Sequence, residues 1–545
     1  MASHRRSKFT ATTIHIVPIR CRQVRVDKLK SSRSFFAILV AAFAAGTVYA
    51  QYGPAAAATA TAAPALFAAS PCPALPALAN ARCGYLVVPE DRAQPTGHTI
   101  RLLVAIIPAR SARAKSDPVV YLAGGPGGIA IAEAPILIEA GINRDHDLIL
   151  MDQRGTLYSE PALTCPDMDQ FFVLSVGLPL DAPSTGLLHA AAARACYLRS
   201  VATGMDLSAY NTSESAADFA ALRTALSITQ WNVFGVSYGT NLALTLMREH
   251  PEGIRSVVID SVEPPSVVNV GKFWGNAREG FDNLFRACAE QPNCWTRQPG
   301  FADTFTALVR KLESTPVTTS VTAVVGQPPT KVVIDGGALV NWLVNMSFAT
   351  EDYPHVPAWI GELADGHAEN IALSIAKPVL ATPAGYIGYG LTYGVICSEW
   401  VPYESESDVL LQGRLAFPDY PDSVLAPAVH FSYVYADCRG WNVPQGPPAQ
   451  RAVTRSTIPT LILSGGFDAV TPPSWGKIAA RTLPNSTGVV IPGVGHFAAS
   501  ASGCAQRVIA SFLAKPNAPD TSCVGALRPP SFLPAFSTKK SPGLP

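Results

Sequence analysis

A serine flanked by glycines, an aspartate and a histidine follow one another in this chain in an order that suits nucleophilic catalysis. Ser237 lies in Gly235-Val236-Ser237-Tyr238-Gly239, Asp468 in "LILSGGFDAVTP" and His496 in "GVGHF". A serine hydroxyl is a poor nucleophile until a base takes its proton, and an imidazole oriented by a carboxylate can be that base. Trp231 to Phe234 reads as a buried strand and Thr240 to His250 as a helix ending before Pro251, so Ser237 falls on a strand-to-helix turn. Glycines at both flanks let the backbone bend sharply and let neighbouring elements close in. G-x-S-x-G by itself is a weak pattern; its setting between strand and helix gives it weight. The chain order serine, acid, histidine also fits that setting.

The rivals have more ordinary readings. Asp260, at the end of "SVVID", could serve as the acid in a variant arrangement, but its more ordinary role is to cap a turn. His250, His355, His367 and His430 follow no sheet strand at the right place and read as structural. The tetrahedral oxyanion of acyl transfer needs two preorganised donors. One is the N–H of Tyr238, next after the serine. The other is expected from "AGGPGG", Ala123 to Gly128, where a phosphate-cradling reading fails because no Lys-Ser/Thr pair follows.

These residues need a scaffold that brings distant segments to one edge. Hydrophobic runs alternate with helical patterns in two blocks. "TIRLLVAIIPA", "PVVYLAGGPGG" and "HDLILMDQRGT" read as strands, and "SESAADFAALRTAL" as a helix capped by Ser213 or Thr212, with Phe219, Leu222 and Leu226 on one face. The serine turn and "IRSVVIDSVEPP" follow, and the pattern resumes with "IPTLILSGGFDAVTP", "TGVVIPGVGHF" and a helix from about Ala505 to Leu513. Such alternation predicts an α/β fold with a mostly parallel sheet flanked by helices. The expected order is a first core part over 71–265, an inserted, mainly helical lid over 266–450, a second core part over 451–523 and a loose tail over 524–545.

Composition excludes some functions. Hydrophobic residues make up 48% of the 545 and charged residues 15%, as in a globular chain with a large core. The net charge of +1 hides nine Lys/Arg against one acid, Asp27, in residues 1–50; the rest carries 32 basic and 39 acidic groups. Such a balance argues against nucleic acid as a partner. The basic residues Lys28, Lys30 and Arg33 precede "FFAILVAAFAA" and "GTVYA", the pattern of a secretory signal over 1–50 with cleavage plausible after Ala50. A membrane is expected as a partner only if that segment stays uncleaved. Residues 51–70, rich in Ala, Pro and Thr, read as a linker. Cys21 lies in the leader, and the ten remaining cysteines suit an oxidising compartment, secreted or periplasmic. Pairing neighbours in sequence gives five bridges. No metal or organic cofactor is implied.

"GGPGG", "DQRGT", "GVSYGT", "GGFDAVTP" and "GVGHF", in this order, together with "CGYLVVPEDRAQP", resemble the α/β-hydrolase-fold serine aminopeptidases. The nearest likeness is to the secreted tripeptidyl-aminopeptidase branch, related to proline iminopeptidases, and it runs from about Cys83 to Cys523. One departure is that Ala123 stands where proline iminopeptidases carry histidine. The resemblance implies an α/β-hydrolase fold with a lid, Ser237 as nucleophile, Asp468 as orienting acid and His496 as base. It assigns Gly125 and Tyr238 to the oxyanion hole.

An aminopeptidase must also hold a cationic N-terminus, which calls for carboxylates facing the pocket. "GVICSEWVPYESE" offers Glu399 and "YADCRGWNV" offers Asp437, with a Cys397–Cys438 bridge drawing them together. The family's lid has a similar Cys-x-acid element, which favours Glu399. Trp400 and Trp441 are candidate pocket walls. The expected activity is removal of short peptides from a free N-terminus through an acyl-enzyme, with peptides as substrate partners. An esterase with the same three residues is the alternative, and a non-catalytic binding protein on the same fold is the remote one.

Overall fold

The computed structural model describes residues 65–426 and 433–533. The leader, its cleavage point, residues 51–64, His430 and residues 534–545 lie outside the described residues.

Eleven strands are formed among the described residues. They are β1 (Leu66–Ser70), β2 (Arg82–Pro89), β3 (Thr99–Ile107), β4 (Lys115–Leu122), β5 (His146–Met151), β6 (Trp231–Val236), β7 (Ile254–Asp260), β8 (Val317–Val321), β9 (Thr330–Ile334), β10 (Thr460–Gly465) and β11 (Ser486–Ile491). Nine make one sheet in the order β1-β2-β3-β5-β4-β6-β7-β10-β11, and β8 with β9 forms a separate hairpin. From β5 to β11 all neighbours are parallel, while β1, β2 and β3 run antiparallel at one edge.

Both faces of this sheet are buried, which is why its strands are continuous apolar runs rather than alternating ones. Within β3, Leu102, Val104 and Ile106 enter one core, while Leu103, Ala105 and Ile107 enter the other. The first core takes Phe219 and Leu222 of helix Thr212–Ala225 and Leu242 and Leu246 of helix Tyr238–Glu249. The second takes Leu137 of helix Ala134–Glu139 and Val508 and Phe512 of helix Gly503–Ala514. The helical faces thus match the sheet faces they cover, and β6 sits near the middle with β4 and β7 beside it.

Four local expectations change. Leu66–Ser70 is not linker but the edge strand β1, paired with β2 from Leu66 opposite Val87 to Ser70 opposite Cys83. The β2 edge offers unpaired backbone groups, and even an Ala-rich segment can satisfy them. The helix after residue 210 is capped by Asn211, whose side chain accepts the Glu214 N–H, not by Thr212 or Ser213. The segment after 524 is ordered at its start: Phe532 is buried and the Leu533 N–H donates to the Pro354 carbonyl. Finally, the cover over the sheet is not one insertion. Helices Pro166–Ser175 and Pro183–Val201, which precede β6, pack with the 266–450 region, where His189 bonds Asp437 and Tyr433 donates to the Leu180 carbonyl.

The cysteines pair as neighbours: 72–83, 165–196, 288–294, 397–438 and 504–523. No helix among the described residues is long and apolar enough to cross a membrane.

Candidate active site

β6 runs on to Val236 and the helix starts at Tyr238, so the turn is tighter than the sequence pattern implies: Ser237 alone makes it. Its φ of 58° and ψ of −130° lie where a non-glycine residue is strained, at a cost of about 1–3 kcal/mol. The surroundings hold it there. The Ser237 N–H donates to the Asp260 carbonyl, and its own carbonyl accepts from Thr240 N and Oγ1. Gly239 permits the fit, since a Cβ there would lie 2.0 Å from the Leu122 carbonyl oxygen of the adjoining strand.

Asp468 follows β10 and is wholly buried. Its Oδ1 accepts the N–H groups of Val470 and Thr471 at 2.8 and 2.9 Å. Its Oδ2 accepts the Thr471 hydroxyl at 2.8 Å and faces His496 Nδ1 at 2.9 Å. His496 follows β11, is also buried, and its Nε2 has no hydrogen-bond partner. Burial pulls the imidazole pKa down, but the charge and hydrogen bond of Asp468, with Asp260 and Glu263 behind it, outweigh burial, and the net shift is upward. Burial likewise raises Asp468, yet His496 and the Thr471 bonds hold it below the ordinary carboxylate range. The result is an ionised acid, an imidazole whose Nδ1 is committed to it, and an Nε2 available to take a proton.

Asp260 is not the acid. Its two oxygens accept the N–H groups of Ala498 and Ala499, so it caps the turn that follows His496. Ser261 adds a bond from the Phe497 N–H, and Phe497 itself takes φ 65°.

The "AGGPGG" loop abuts the serine: a Cβ on Gly124 would lie 2.9 Å from Ser237 Cβ. Gly125 has φ +113°, accessible to glycine with little strain. Tyr238 is the first residue of its helix, where N–H groups have no partner within the helix and the dipole favours negative charge. Residues to which the sequence reading assigned no role brace the loop. Gln153 Nε2 donates to the Ala123 carbonyl at 3.0 Å, Thr392 Oγ1 to the Pro126 carbonyl at 2.7 Å, and the Gly388 N–H to the Gly127 carbonyl at 2.9 Å. Gln153 belongs to the quoted "DQRGT" and could have been found there. In the same motif Arg154 is fully buried, bound to Asp218, Glu214 and the carbonyls of Glu90 and Ala209.

A cavity of about 930 Å³ opens beside this loop, lined by Gly125, Phe348, Phe172, Tyr389, Tyr433 and Asp437 among others. The candidate amine anchors are placed differently. Asp437 faces the cavity, with Oδ1 3.1 Å from His189 Nδ1 and Oδ2 accepting the Tyr393 hydroxyl at 3.0 Å. Burial raises its pKa against the pull of His189. Glu399 does not line the cavity. Its oxygens accept the N–H and hydroxyl of Thr212 at 2.8 and 2.7 Å, and the Thr212 hydroxyl also meets the Tyr238 hydroxyl at 2.9 Å. Burial pushes Glu399 up to about 7. A further buried acid, Glu263, has Asn241 and Asn269 as donors and is pushed up to about 8, first by burial and then by the charge of Glu399. Neither Trp400 nor Trp441 lines the cavity. Both are core residues, Trp441 packing on Tyr393 and Tyr197.

The family match agrees with this architecture. The family model described as alpha/beta hydrolase fold matches residues 117–500. A tripeptidyl aminopeptidase of Streptomyces coelicolor is 26% identical over 416 residues, 72% of this chain and 72% of that protein. The serine protease Hip1 of Mycobacterium tuberculosis is 22% identical over 472 residues, 83% of this chain and 86% of that protein. Among solved structures, a proline iminopeptidase of Mycobacterium smegmatis aligns over 79% of this chain and 98% of its own at 17% identity, with a TM-score of 0.34.

Proposed function

The chain belongs to the α/β-hydrolase family, and from that premise we propose that it is an exported serine peptidase cleaving short peptides from a free N-terminus. Ser237 Oγ attacks the scissile carbonyl while His496 Nε2 takes its proton. The tetrahedral oxyanion is held by the N–H groups of Gly125 and Tyr238. As the intermediate collapses, the C–N bond breaks, His496 returns the proton to the leaving amine, and the acyl group stays on Ser237. Water then attacks the ester with His496 again as base, releasing the peptide acid and restoring the serine. Asp468 keeps Nδ1 protonated and balances the imidazolium. Asp437, which faces the cavity, is the proposed partner of the substrate's ammonium group; Glu399, whose oxygens are taken by Thr212 away from the cavity, is not.

The observation that carries the proposal is the Asp468–His496 pair at 2.9 Å, with the second imidazole nitrogen unpaired, beside a sheet edge that holds a serine at positive φ. The likeness to a tripeptidyl aminopeptidase and to the serine protease Hip1 supports the peptidase class. Five bridged cysteine pairs support an oxidising destination.

The test joins labelling to turnover. A fluorophosphonate is expected to label the wild type and not Ser237→Ala, and tripeptidyl anilides are expected to be cleaved only with a free amine. Equal turnover of N-acetylated anilides, or preference for simple acetyl esters, would replace the aminopeptidase reading with an esterase one.

A further inference from the structure

Met346–His355, two short turns within the inserted region, touches both loops that present Asp468 and His496. The Ser347 carbonyl accepts the His496 N–H at 2.6 Å, and its hydroxyl accepts the Ala469 N–H at 3.0 Å. Thr350 Oγ1 accepts the Gly495 N–H at 3.0 Å, and the Tyr353 hydroxyl donates to the Phe467 carbonyl at 2.8 Å. Ten residues thus hold residues 467, 469, 495 and 496 through backbone groups, so a shift of this strap moves the acid and the base together.

The strap also borders the substrate space. Met346, Phe348 and Ala349 line the 930 Å³ cavity. The Phe348 ring lies 4.9 Å from the His496 ring, and Phe348 is 55% exposed, enough surface for a bound molecule to cover. From outside, the Leu533 N–H holds the Pro354 carbonyl at 2.8 Å, which anchors the far end of the strap.

We infer that Met346–His355 is a positioning strap through which occupancy of the cavity sets the Asp468–His496 geometry, with Ser347 and Thr350 as positioning residues. The inference rests on the Ser237–Asp468–His496 reading above. A substrate long enough to cover Phe348 holds the strap, and the strap holds the loops; a short substrate leaves it free. Cavity filling should therefore appear in kcat and not only in KM, because misplacement by about 1 Å costs as much as about 100-fold in rate.

Thr350→Val keeps the side-chain shape and removes the acceptor, whereas Thr350→Ser retains it. With a tripeptidyl anilide, Thr350→Val is expected to lower kcat about tenfold with KM within about twofold. The acid limb of its pH profile should move down as His496 loosens from Asp468, while Thr350→Ser stays near wild type. Phe348→Ala, at an exposed position that tolerates truncation, is expected to lower the peptide-to-acetyl-ester ratio of kcat about fivefold. Melting temperatures of all three variants separate misfolding from misplacement. Wild-type kcat and pH profile in Thr350→Val, or an unchanged ratio in Phe348→Ala, would overturn the strap while leaving Ser237 labelling intact. Turnover that survives in Ser237→Ala would sink the strap and the peptidase reading together.

Discussion

Replacing Asp468 by asparagine changes one atom, and the structure dictates where that atom goes. Oδ1 accepts two backbone N–H groups, from Val470 and Thr471, so the amide oxygen must stay on that side. The amide NH₂ is then forced into the Oδ2 position, 2.9 Å from His496 Nδ1. Two donors cannot face each other, so Nδ1–H keeps only the Thr471 hydroxyl at 3.1 Å as a possible acceptor, and the tautomer with Nδ1 as acceptor and the proton on Nε2 gains weight. That tautomer cannot accept the Ser237 proton. In an established Ser-His-Asp triad the same change costs about 10⁴-fold in kcat, equivalent to about 5 kcal/mol of transition-state stabilisation, and the proposed roles call for a loss of that order here. A second signature follows from electrostatics. Burial lowers the His496 pKa and Asp468 is the largest of the groups that raise it, so the acid limb of kcat/KM should move down in Asp468→Asn. The assay is anilide hydrolysis from pH 5 to 9, with fluorophosphonate labelling followed over the same range. Activity within tenfold of wild type, or an acid limb that does not move, would refute the assignment of Asp468 as the orienting acid.

Two further outcomes are expected. Gly239→Ala places a methyl group 2.0 Å from a backbone oxygen of β4, which no rotamer can relieve. Stability should fall by about 3 kcal/mol or more, and a wild-type melting temperature would show that the elbow is looser than described. Stability should also depend on pH through Glu263 and Glu399, raised to about 8 and about 7 by burial. Carboxyls raised on folding contribute stability that is present below their unfolded pKa, about 4.3, and is lost as pH rises through the folded values. The melting temperature is therefore expected to decline between about pH 5 and pH 8, and Glu263→Gln should flatten the decline; a profile that rises over this window would contradict the burial of these acids.

Sequence and structure divide the site between them along a physical line. The placement of Ser237, Asp468 and His496 after β6, β10 and β11 was legible because each follows a strand whose apolar run is visible, and because strand-end turns in a parallel sheet collect at one edge whatever lies between them. The approach of the Gly124 loop to Ser237 was legible for a related reason: glycines at such a turn mark backbone that must approach another backbone. Ser347 had no such signal. Its main contact uses a carbonyl that every residue possesses, and its partner is 149 positions away. Three consecutive positions, Asn211, Thr212 and Ser213, all carry capping side chains, so the sequence alone does not choose the cap. Tertiary demand decided among them, since Thr212 is committed to Glu399 and Tyr238. The same contact explains why Glu399 lies off the cavity: its carboxylate is spent on the start of helix Thr212–Ala225. What the pattern of strands predicts, then, is where the candidate groups stand; the contacts that the covering region adds to the loops of Asp468 and His496 run through backbone groups and leave no mark in the sequence. Under the proposed function, substrate contact and catalytic alignment meet in that region, and substitutions there should alter rate and specificity together.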